Sequence, residues 1–498
     1  MGRLPRWPGE PADIALADAT RAISYGELPG LVAAEGDWLA AGGDASRYAT
    51  LADNGCAWAL TDLALSASGL LHVPLPGYFT RGQMRHVLEN AGIDRVITDQ
   101  PGIVEALGLG FRAGEVSPRT GLVLCARPAP SGAAAVPAGT AKITYTSGST
   151  AEPRGVCLSG ELLDTVARSV AGATAAAGIQ CHLCLLPLAT LLENVAGIHA
   201  ALHAGATCVI PSLAATGMSY AGVDAVRLTA AITAHRPSSL ILVPELLRVL
   251  VQAAAAGWQP PASLRFVAVG GATVAPALLA RAAALGLPVY EGYGLSECGS
   301  VVCLNTPGQN RPGAVGRPLP HAEVRVAADG ELHVVGPGML GYLGEPPSRS
   351  GDPLATGDLG SIDADGYVQV QGRRKNLLIT SLGRNITPEW VERELQLEPE
   401  IATAMVVGDG QPWLGALVMP TRAGVAPGRV AAAVARANRR LPDYARVRSV
   451  AQPREPFSFA SGALTANGRL RRARILEAEA GVVGQLFDRA NIPEEECA

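Results

Sequence analysis

Residues 266–297 read FVAVGGATVAPALLARAAALGLPVYEGYGLSE and contain the pattern that decides the fold. Two short apolar runs, 266–269 and 289–293, are each followed by glycine, and an alanine-rich segment with helical periodicity separates them. A buried strand, a crossover helix and a second buried strand form the unit from which parallel sheets are built. We therefore predict an α/β fold around this stretch.

The same alternation extends towards the N-terminus. Apolar runs between residues 20 and 125 are separated by alanine-rich helical segments, which predicts a largely parallel sheet there. The alternation stops at 126–140, a segment rich in proline, alanine and glycine that we interpret as a surface linker. It resumes with KITYTS at 142–147.

The pattern of apolar and polar residues changes towards the C-terminus. From about 311 to 371 short alternating runs flank Asp329-Gly330 and Asp365-Gly366, which predicts two hairpins. Beyond Lys375 the chain is a smaller α+β segment with a helix at PEWVERELQ, residues 388–396. We therefore place a domain boundary near 371–376.

Composition excludes several classes of protein. The 498 residues are 48% hydrophobic and 17% charged with a net charge of −4, which excludes a disordered chain and makes nucleic acid an unexpected partner. No signal peptide is evident, and charges interrupt SLILVPELLRVLVQAAAAG (239–257), so we expect no membrane span and a cytoplasmic location. Nine scattered cysteines indicate reduced thiols, and Cys181 and Cys184 lack a second zinc half-site.

Four motifs have side chains suited to chemistry. Residues 145–155, YTSGSTAEPRG, offer hydroxyl and backbone donors to a polyanion, although a solvated turn is an equally good interpretation. Gly270-Gly271-Ala272 and the segment 289–297 end two strands, where Tyr293 could stack on a base and Glu297 could hold a hard cation. Asp358 and the segment 372–388 complete the set, and each motif alone has a structural interpretation as a turn, a core strand end or a charged linker.

The order and spacing of these motifs resemble those of the adenylate-forming superfamily over about residues 20–475. Within it the chain is most similar to medium- and long-chain acyl-CoA ligases, in 186–210, 372–392 and 457–472. The resemblance implies layered α/β subdomains plus a small β subdomain in an N-terminal domain (1–372), a hinge (373–376) and a mobile α+β C-terminal domain (377–498). It also implies the cofactors ATP (as acyl-adenylate), Mg²⁺ and coenzyme A.

The resemblance assigns roles residue by residue. Arg469, Glu297 and the hinge residue Lys375 would be catalytic, with Glu297 also the metal ligand. Thr190 and Val195 would line the acyl pocket, and Ser381, Leu382 and Gly383 the thiol tunnel. The nucleotide-binding residues would be Thr146, Ser147, Gly148, Ser149, Thr150, Arg154, Gly270, Gly271, Ala272, Tyr293, Gly294, Ser296, Asp358 and Arg373.

One departure from the family affects the chemistry. The segment LTANGRLRR (464–472) corresponds to the one that carries the family's catalytic lysine, and Arg469 stands at that position. The planar guanidinium is a poor substitute for a compact ammonium. Because only Lys142 and Lys375 are lysines among 40 basic residues, a substitution driven by composition is the alternative explanation.

We therefore expect an acid–thiol ligase for a bulky hydrophobic acid, strong in forming a thioester from acyl-adenylate and CoA and weak in the ATP-dependent step. A separate adenylating enzyme or a carrier protein is a candidate partner. The alternatives are a complete two-step synthetase, a transferase to a carrier-protein thiol and a non-catalytic adenylate-binding protein. A serine hydrolase is disfavoured because Gly294-Leu295-Ser296-Glu297-Cys298 lacks the closing glycine of a nucleophile elbow.

Overall fold

A computed structural model gives the architecture of most of the chain. The described residues are 6–41, 46–130, 132–146, 153–219, 222–272, 274–348, 351–422, 424–458, 461–465 and 468–488. All structural statements below concern these residues.

The strands are short, as expected for a chain rich in turns. In chain order they are β1 (Ile14–Ala17), β2 (Ala22–Ser24), β3 (Arg47–Leu51), β4 (Leu71–Pro74), β5 (Arg95–Thr98), β6 (Arg112–Val116), β7 (Val123–Ala126), β8 (Thr140–Thr146), β9 (Arg154–Ser159), β10 (Cys181–Leu183), β11 (Thr207–Val209), β12 (Met218–Ser219), β13 (Gly222–Val223), β14 (Ser239–Leu242), β15 (Phe266–Val269), β16 (Val289–Tyr293), β17 (Cys303–Leu304), β18 (Arg317–Pro318), β19 (Glu323–Val326), β20 (Glu331–Val335), β21 (Gly341–Tyr342), β22 (Leu354–Ile362), β23 (Val368–Arg373), β24 (Leu378–Ile379), β25 (Asn385–Ile386), β26 (Ile401–Val407), β27 (Leu414–Pro420) and β28 (Val447–Ala451).

The α-helices lie between the strands of the two large sheets and around the C-terminal sheet. They are α1 (Leu28–Ala40), α2 (Cys56–Ser68), α3 (Arg81–Asn90), α4 (Pro101–Glu105), α5 (Gly160–Ala173), α6 (Ala200–His203), α7 (Ala225–His235), α8 (Pro244–Ala255), α9 (Pro276–Ala284), α10 (Pro388–Gln396), α11 (Pro427–Asn438), α12 (Arg472–Ala478) and α13 (Ala480–Gln485). A π-helix, Leu192–His199, runs directly into α6.

A nine-stranded sheet contains residues 266–297, the stretch predicted to form an α/β unit. Its order is β18-β17-β16-β15-β14-β10-β11-β1-β2, parallel from β16 to β1 and antiparallel at both ends. The predicted unit at 266–293 is β15, α9 and β16, with Val267 paired to Val289. The apolar segment 239–257 divides into β14 and α8. Among the described residues we find no helix with the length and apolar character that a membrane span requires.

An eight-stranded sheet contains most of the strands predicted in the N-terminal part of the chain. Its order is β21-β9-β8-β4-β3-β5-β7-β6. The pairs among β8, β4, β3 and β5 are parallel, whereas β7, β6, β9 and β21 add antiparallel edges. The prediction of a largely parallel sheet therefore holds for its centre alone. Short connections join β6 to β7 and β8 to β9 as antiparallel pairs, and β21 adds to the edge from a distant part of the chain.

The small β subdomain consists of a four-stranded sheet, β19-β20-β22-β23. Asp329-Gly330 turns the chain between β19 and β20, and Asp365-Gly366 does so between β22 and β23, as predicted. Asp358 lies on β22 opposite Arg373 on β23, so this sheet places two predicted site residues side by side.

The C-terminal α+β segment follows a short 3₁₀ turn, Arg374–Asn376, and is built on the sheet β26-β27-β28. It packs closely on the preceding strand. A Cβ at Gly372 would lie 2.3 Å from Thr387 Cγ2 and 2.6 Å from Glu389 Oε2 at the start of α10. Arg248 of α8 also donates to the Ala402 carbonyl, so the two parts of the chain meet on both sides of a cleft.

Candidate active site

The cleft has a volume of about 2230 Å³ and is lined by both parts of the chain. Its floor is formed where β15 and β16 end, because the carboxyl ends of parallel strands meet at one edge of a sheet. Thirteen predicted site residues line it: Arg154, Thr190, Gly270, Gly271, Ala272, Tyr293, Gly294, Ser296, Glu297, Asp358, Arg373, Lys375 and Arg469. The fold therefore brings together residues that are more than 300 positions apart in sequence, such as Arg154 and Arg469.

Two glycines shape the floor of the cleft. Gly271 has a φ of 83°, in the left-handed region that glycine adopts without strain. At Gly294 a Cβ would lie 1.6 Å from the Ser300 carbonyl oxygen, so only a hydrogen fits between the two backbone segments. Gly271 thus leaves the end of β15 without a side chain, which allows a flat ligand to approach the backbone, whereas Gly294 allows two backbone segments to pack together.

A buried carboxylate lies at one end of the cleft. Asp358 accepts a hydrogen bond of 2.6 Å from the Tyr293 hydroxyl and is paired with Arg373 Nε at 2.6 Å. Burial raises the pKa of Asp358, and Arg373 opposes this effect. Burial and the neighbouring Asp358 also raise the pKa of the Tyr293 phenol, which remains a donor. The carboxylate is thus fixed in orientation, as a group that accepts hydrogen bonds from a diol would need to be.

A second carboxylate lies at the cleft wall, close to Tyr342 and Arg154. Glu297 Oε1 accepts a hydrogen bond of 2.8 Å from the Tyr342 hydroxyl. The Arg154 guanidinium stacks over the Tyr342 ring at 3.8 Å from its centroid and pairs with Glu345 at 2.6 Å. Sequence reasoning missed Tyr342, since an isolated tyrosine in a two-residue strand carries no signal of its own. It orients the carboxylate that the family resemblance assigns to the metal.

The residues present fit a magnesium ion. Mg²⁺ prefers one or two carboxylates together with phosphate oxygens and water. Glu297 offers a carboxylate at the cleft wall, with Tyr342 donating to one of its oxygens. Glu297 would hold the ion, which would neutralise charge on a bound polyphosphate.

Arg469 reaches the floor of the cleft from the C-terminal segment. Its Nε donates a hydrogen bond to the Gly271 carbonyl. Burial and the nearby Arg373 lower the pKa of the Arg469 guanidinium, and Asp358 opposes them. Lys375 lies in the same cleft, where burial, Arg373 and Arg469 lower its pKa. The described residues therefore place three cations around one carboxylate.

A further carboxyl group in the cleft was not predicted. Glu291 on β16 is buried, and burial raises its pKa to about 7. The Gly313 amide donates to it at 3.3 Å, and Arg393 from α10 also favours its ionised form. Sequence reasoning missed Glu291, because a single acidic residue within a short apolar run carries no signal of its own.

The remaining predicted residues lie elsewhere. Ser147, Gly148, Ser149 and Thr150 fall outside the described residues, and Thr146 is the last residue of β8. Ser381, Leu382 and Gly383 form the exposed turn between β24 and β25, with Leu382 75% exposed. In this arrangement that turn does not line the cleft.

The acyl side of the cleft differs in part from the prediction. Thr190 lines the cleft, whereas Val195 is buried in the core against Val166 of α5. The wall is formed instead by the neighbouring face of the π-helix and α6 and by apolar residues opposite: Leu192, Ala196, Gly197, Ala200, Ala204, Val170, Ile179 and Phe266.

Known proteins resemble this chain in sequence and in fold. A long-chain-fatty-acid–CoA ligase of Mycobacterium bovis is 38% identical over 138 residues, 27% of this chain, and the chain spans about a quarter of that relative's length (23%). An indoleacetate–CoA ligase of Aromatoleum aromaticum is 28% identical over 457 residues, covering 80% of this chain and 82% of the relative.

Solved structures share the fold. An anthranilate CoA ligase in complex with anthranoyl-AMP superposes with a TM-score of 0.79 at 18% identity, covering 95% of each chain. The o-succinylbenzoate CoA synthetase of Bacillus subtilis, in complex with its acyl-adenylate intermediate, gives 0.72 at 23% identity over 93% of this chain and 95% of that one. At these identities the likeness shows the two-part α/β architecture.

Family models match the two parts of the chain separately. The model described as AMP-binding enzyme matches residues 5–344, and the one described as AMP-binding enzyme C-terminal domain matches residues 375–490. The first match alone covers more than half of the chain. Together with the cleft that both parts enclose, these matches show that the chain belongs to the family of AMP-binding enzymes.

Proposed function

We propose that this protein is an acid–thiol ligase that acts mainly in the second half of the ligase reaction, forming a thioester from an acyl-adenylate and coenzyme A. The thiolate sulfur attacks the acyl carbonyl carbon and a C–S bond forms. The bond between that carbon and the phosphate oxygen breaks, AMP leaves and the thiol proton passes to solvent. The ATP-dependent first half, in which a carboxylate displaces pyrophosphate, is slow or absent.

The observation that carries this proposal is Arg469. Its side chain enters the floor of the cleft, but its Nε is engaged by the Gly271 carbonyl and its charge is spread over a planar group. Of the two lysines in the chain, Lys142 is buried outside the cleft floor and Lys375 lies at the proposed hinge. No compact ammonium other than Lys375 therefore stands in the described part of the cleft.

The thioester-forming half does not need Arg469. In the two-state scheme of the family, the hinge at 373–376 turns the C-terminal part so that the turn 381–383 replaces Arg469 at the cleft. The turn is exposed in this arrangement, with Leu382 75% exposed, so it is accessible for such a contact.

The acid is proposed to be bulky and hydrophobic, a fatty acyl chain or a polycyclic compound. The wall formed by Val170, Ala196, Ala200 and Ile179 is apolar and has small side chains on one side. A pocket of this kind selects by size and shape and not by charge. The relatives act on fatty acids and on aromatic acids by name, in keeping with this class.

A paired assay tests the proposal. Pyrophosphate release is measured with acid, ATP and Mg²⁺, and thioester formation is measured with the synthetic acyl-adenylate and CoA. We expect thioester formation at an ordinary enzymatic turnover and pyrophosphate release at least about a hundredfold slower. Equal rates would establish a complete two-step synthetase, and adenylate binding without thioester formation would indicate a non-catalytic binding protein.

The thiol acceptor and the source of the adenylate are tested in the same format. Replacing CoA by a phosphopantetheinylated carrier protein distinguishes the two thiols. If the first half is slow, a separate adenylating enzyme must supply the mixed anhydride, and adding such an enzyme with ATP and acid should restore thioester formation.

A further inference from the structure

A buried polar cluster lies behind the acyl wall of the cleft. We define the Asp62 cluster as Asp62, His72, Lys142, Asn194 and His199. Asp62 is 2% exposed and Lys142 is 3% exposed, so both charges are removed from bulk water. Burying charges is unfavourable unless they are paired and hydrogen-bonded, and an isolated pair in this place would destabilise the fold.

The cluster is almost completely paired. Lys142 Nζ lies 2.7 Å from Asp62 Oδ1 and donates to Asn194 Oδ1 at 2.5 Å. Asn194 Nδ2 donates to Asp62 Oδ2 at 2.9 Å, and His199 Nε2 lies 3.0 Å from the same oxygen. Burial acts to raise the pKa of Asp62, but Lys142 and the two histidines hold it well below its ordinary value. Asp62 therefore remains a carboxylate that binds two residues of the π-helix.

Asn194 is bound to Lys142 of the eight-stranded sheet. The residue before it in the π-helix, Glu193, is bound to the nine-stranded sheet. Glu193 is 0% exposed. Its Oε1 lies 2.8 Å from His182 Nε2, and its Oε2 accepts from the Leu186 amide at 3.0 Å. His182 Nδ1 lies 2.9 Å from Ser239 Oγ, so the contact continues to β14. Consecutive residues 193 and 194 thus anchor the same turn to both sheets.

Other residues of the same π-helix line the cleft. Leu192, Ala196 and Gly197 lie at the acyl wall, and α6 continues that wall with Ala200. A Cβ at Gly197 would lie 2.6 Å from Glu193 Oε1 and 2.9 Å from His182 Nε2, so the helix is pressed onto its anchor. π-helical turns are rare and occur frequently at functional sites. Any shift of the anchored face would move the acyl wall with it.

We propose that Asn194 and Glu193, held by the Asp62 cluster and by His182, are specificity-determining positioning residues that fix the depth of the acyl channel. The inference rests on the proposed function, because it assigns the channel to the acyl chain. Glu193 and Asn194 do not line the cleft themselves, although His182 does. They act through the position of Ala196 and Ala200, so they set which chain lengths fit and leave the thioester chemistry unchanged.

The test compares a short and a long substrate. Asn194→Ala removes the amide but leaves the contacts of Asp62 with Lys142, His72 and His199. With dodecanoyl-adenylate and CoA we expect the KM to rise about tenfold, equivalent to losing the burial of roughly two methylene groups. With butanoyl-adenylate, which does not reach the displaced wall, KM should stay within about twofold, and kcat should be unchanged for both.

Two further variants keep the test decisive. His199→Ala, at the partly exposed end of the cluster, should give a smaller shift in the same direction if Asn194→Ala does not fold. Asn438→Ala is the matched control, because it removes an amide that makes two hydrogen bonds with Val447 in the C-terminal part of the chain. It should alter the melting temperature without changing the ratio of the two KM values.

The outcomes separate the inference from the proposed function. Equal changes in both KM values, or a change only in melting temperature, in Asn194→Ala and His199→Ala would overturn the inference and leave the proposed function intact. A wild-type protein that forms no thioester from either adenylate would overturn the proposed function and this inference with it.

Discussion

Replacing Arg469 with lysine is the sharpest test of the idea that this position limits adenylation. The arginine Nε is committed to the Gly271 carbonyl, so the centre of positive charge is fixed by the backbone and not by a reacting phosphate. A lysine has no such branch and its ammonium can move to the group that develops charge. A misplacement of about 1 Å costs about a hundredfold in rate, or about 2.7 kcal/mol of barrier.

We therefore expect Arg469→Lys to raise pyrophosphate release about a hundredfold at saturating acid and ATP. Thioester formation from the synthetic acyl-adenylate should stay within about twofold. Arg448→Lys, at an exposed position of β28, is the control for a general effect of lysine in the same domain. Unchanged pyrophosphate release in Arg469→Lys, with the variant fully folded, would refute the reasoning.

Three other variants test separate parts of the site. Gly294→Ala would force a Cβ to within 1.6 Å of a backbone oxygen and should abolish folding or lower the melting temperature strongly, whereas Gly30→Ala, with no atom within 4 Å, should be neutral or mildly stabilising by up to about 1 kcal/mol in thermal denaturation. Tyr342→Phe frees Glu297 from its hydrogen bond and should raise the Mg²⁺ concentration for half-maximal adenylation about tenfold in a pyrophosphate assay, while unchanged metal dependence would count against an orienting role. Because burial raises the folded-state pKa of Glu291 to about 7, the stability it contributes is complete below about pH 4.5 and is lost as pH rises through 7. Glu291→Gln should therefore raise the free energy of unfolding near pH 8 by up to about 3 kcal/mol, and denaturant curves that show no gain at that pH would contradict this.

The sequence predicted the strand–helix–strand units because buried parallel strands are short apolar runs. β14, β15 and β16 each fall within such a run. The two Asp-Gly turns were equally predictable, since φ is positive at Gly330 and Gly366. The antiparallel edges β6, β7, β9 and β21 were not, because neither hydrophobicity nor periodicity records the direction in which a neighbouring strand runs.

The sequence singled out individual residues of the candidate site but did not predict which side chains contact one another. The glycines were singled out because they end apolar strands, and Asp358 and Glu297 because the order and spacing of their motifs resemble the adenylate-forming superfamily. Tyr342, which orients Glu297, lies 45 residues away and is one tyrosine among ten, so only the tertiary fold selects it. Val195, which the resemblance assigns to the acyl pocket, lies in a hydrophobic core cluster and does not line the cleft in this arrangement.

The two lysines connect composition with mechanism. In a chain with 38 arginines, a lysine that survives is expected where a guanidinium would not fit. Lys142 meets this condition, because its Nζ lies within 2.7 Å of Asp62 and within 2.5 Å of Asn194 in a buried space. The presence of arginine at 469 then implies that a compact ammonium is not required there for the reaction that the protein performs.

This argument depends on Lys142 being intolerant of arginine, which can be measured. Lys142→Arg adds volume to a packed cluster and should lower the free energy of unfolding by about 1–3 kcal/mol in denaturant titrations. Arg469→Lys, at a position in the cleft, should change the free energy of unfolding by no more than about 0.5 kcal/mol. If Lys142→Arg were as stable as the wild type, arginine would be tolerated even at this buried and closely packed position. Its presence at 469 would then reflect composition alone and would carry no information about the adenylation step.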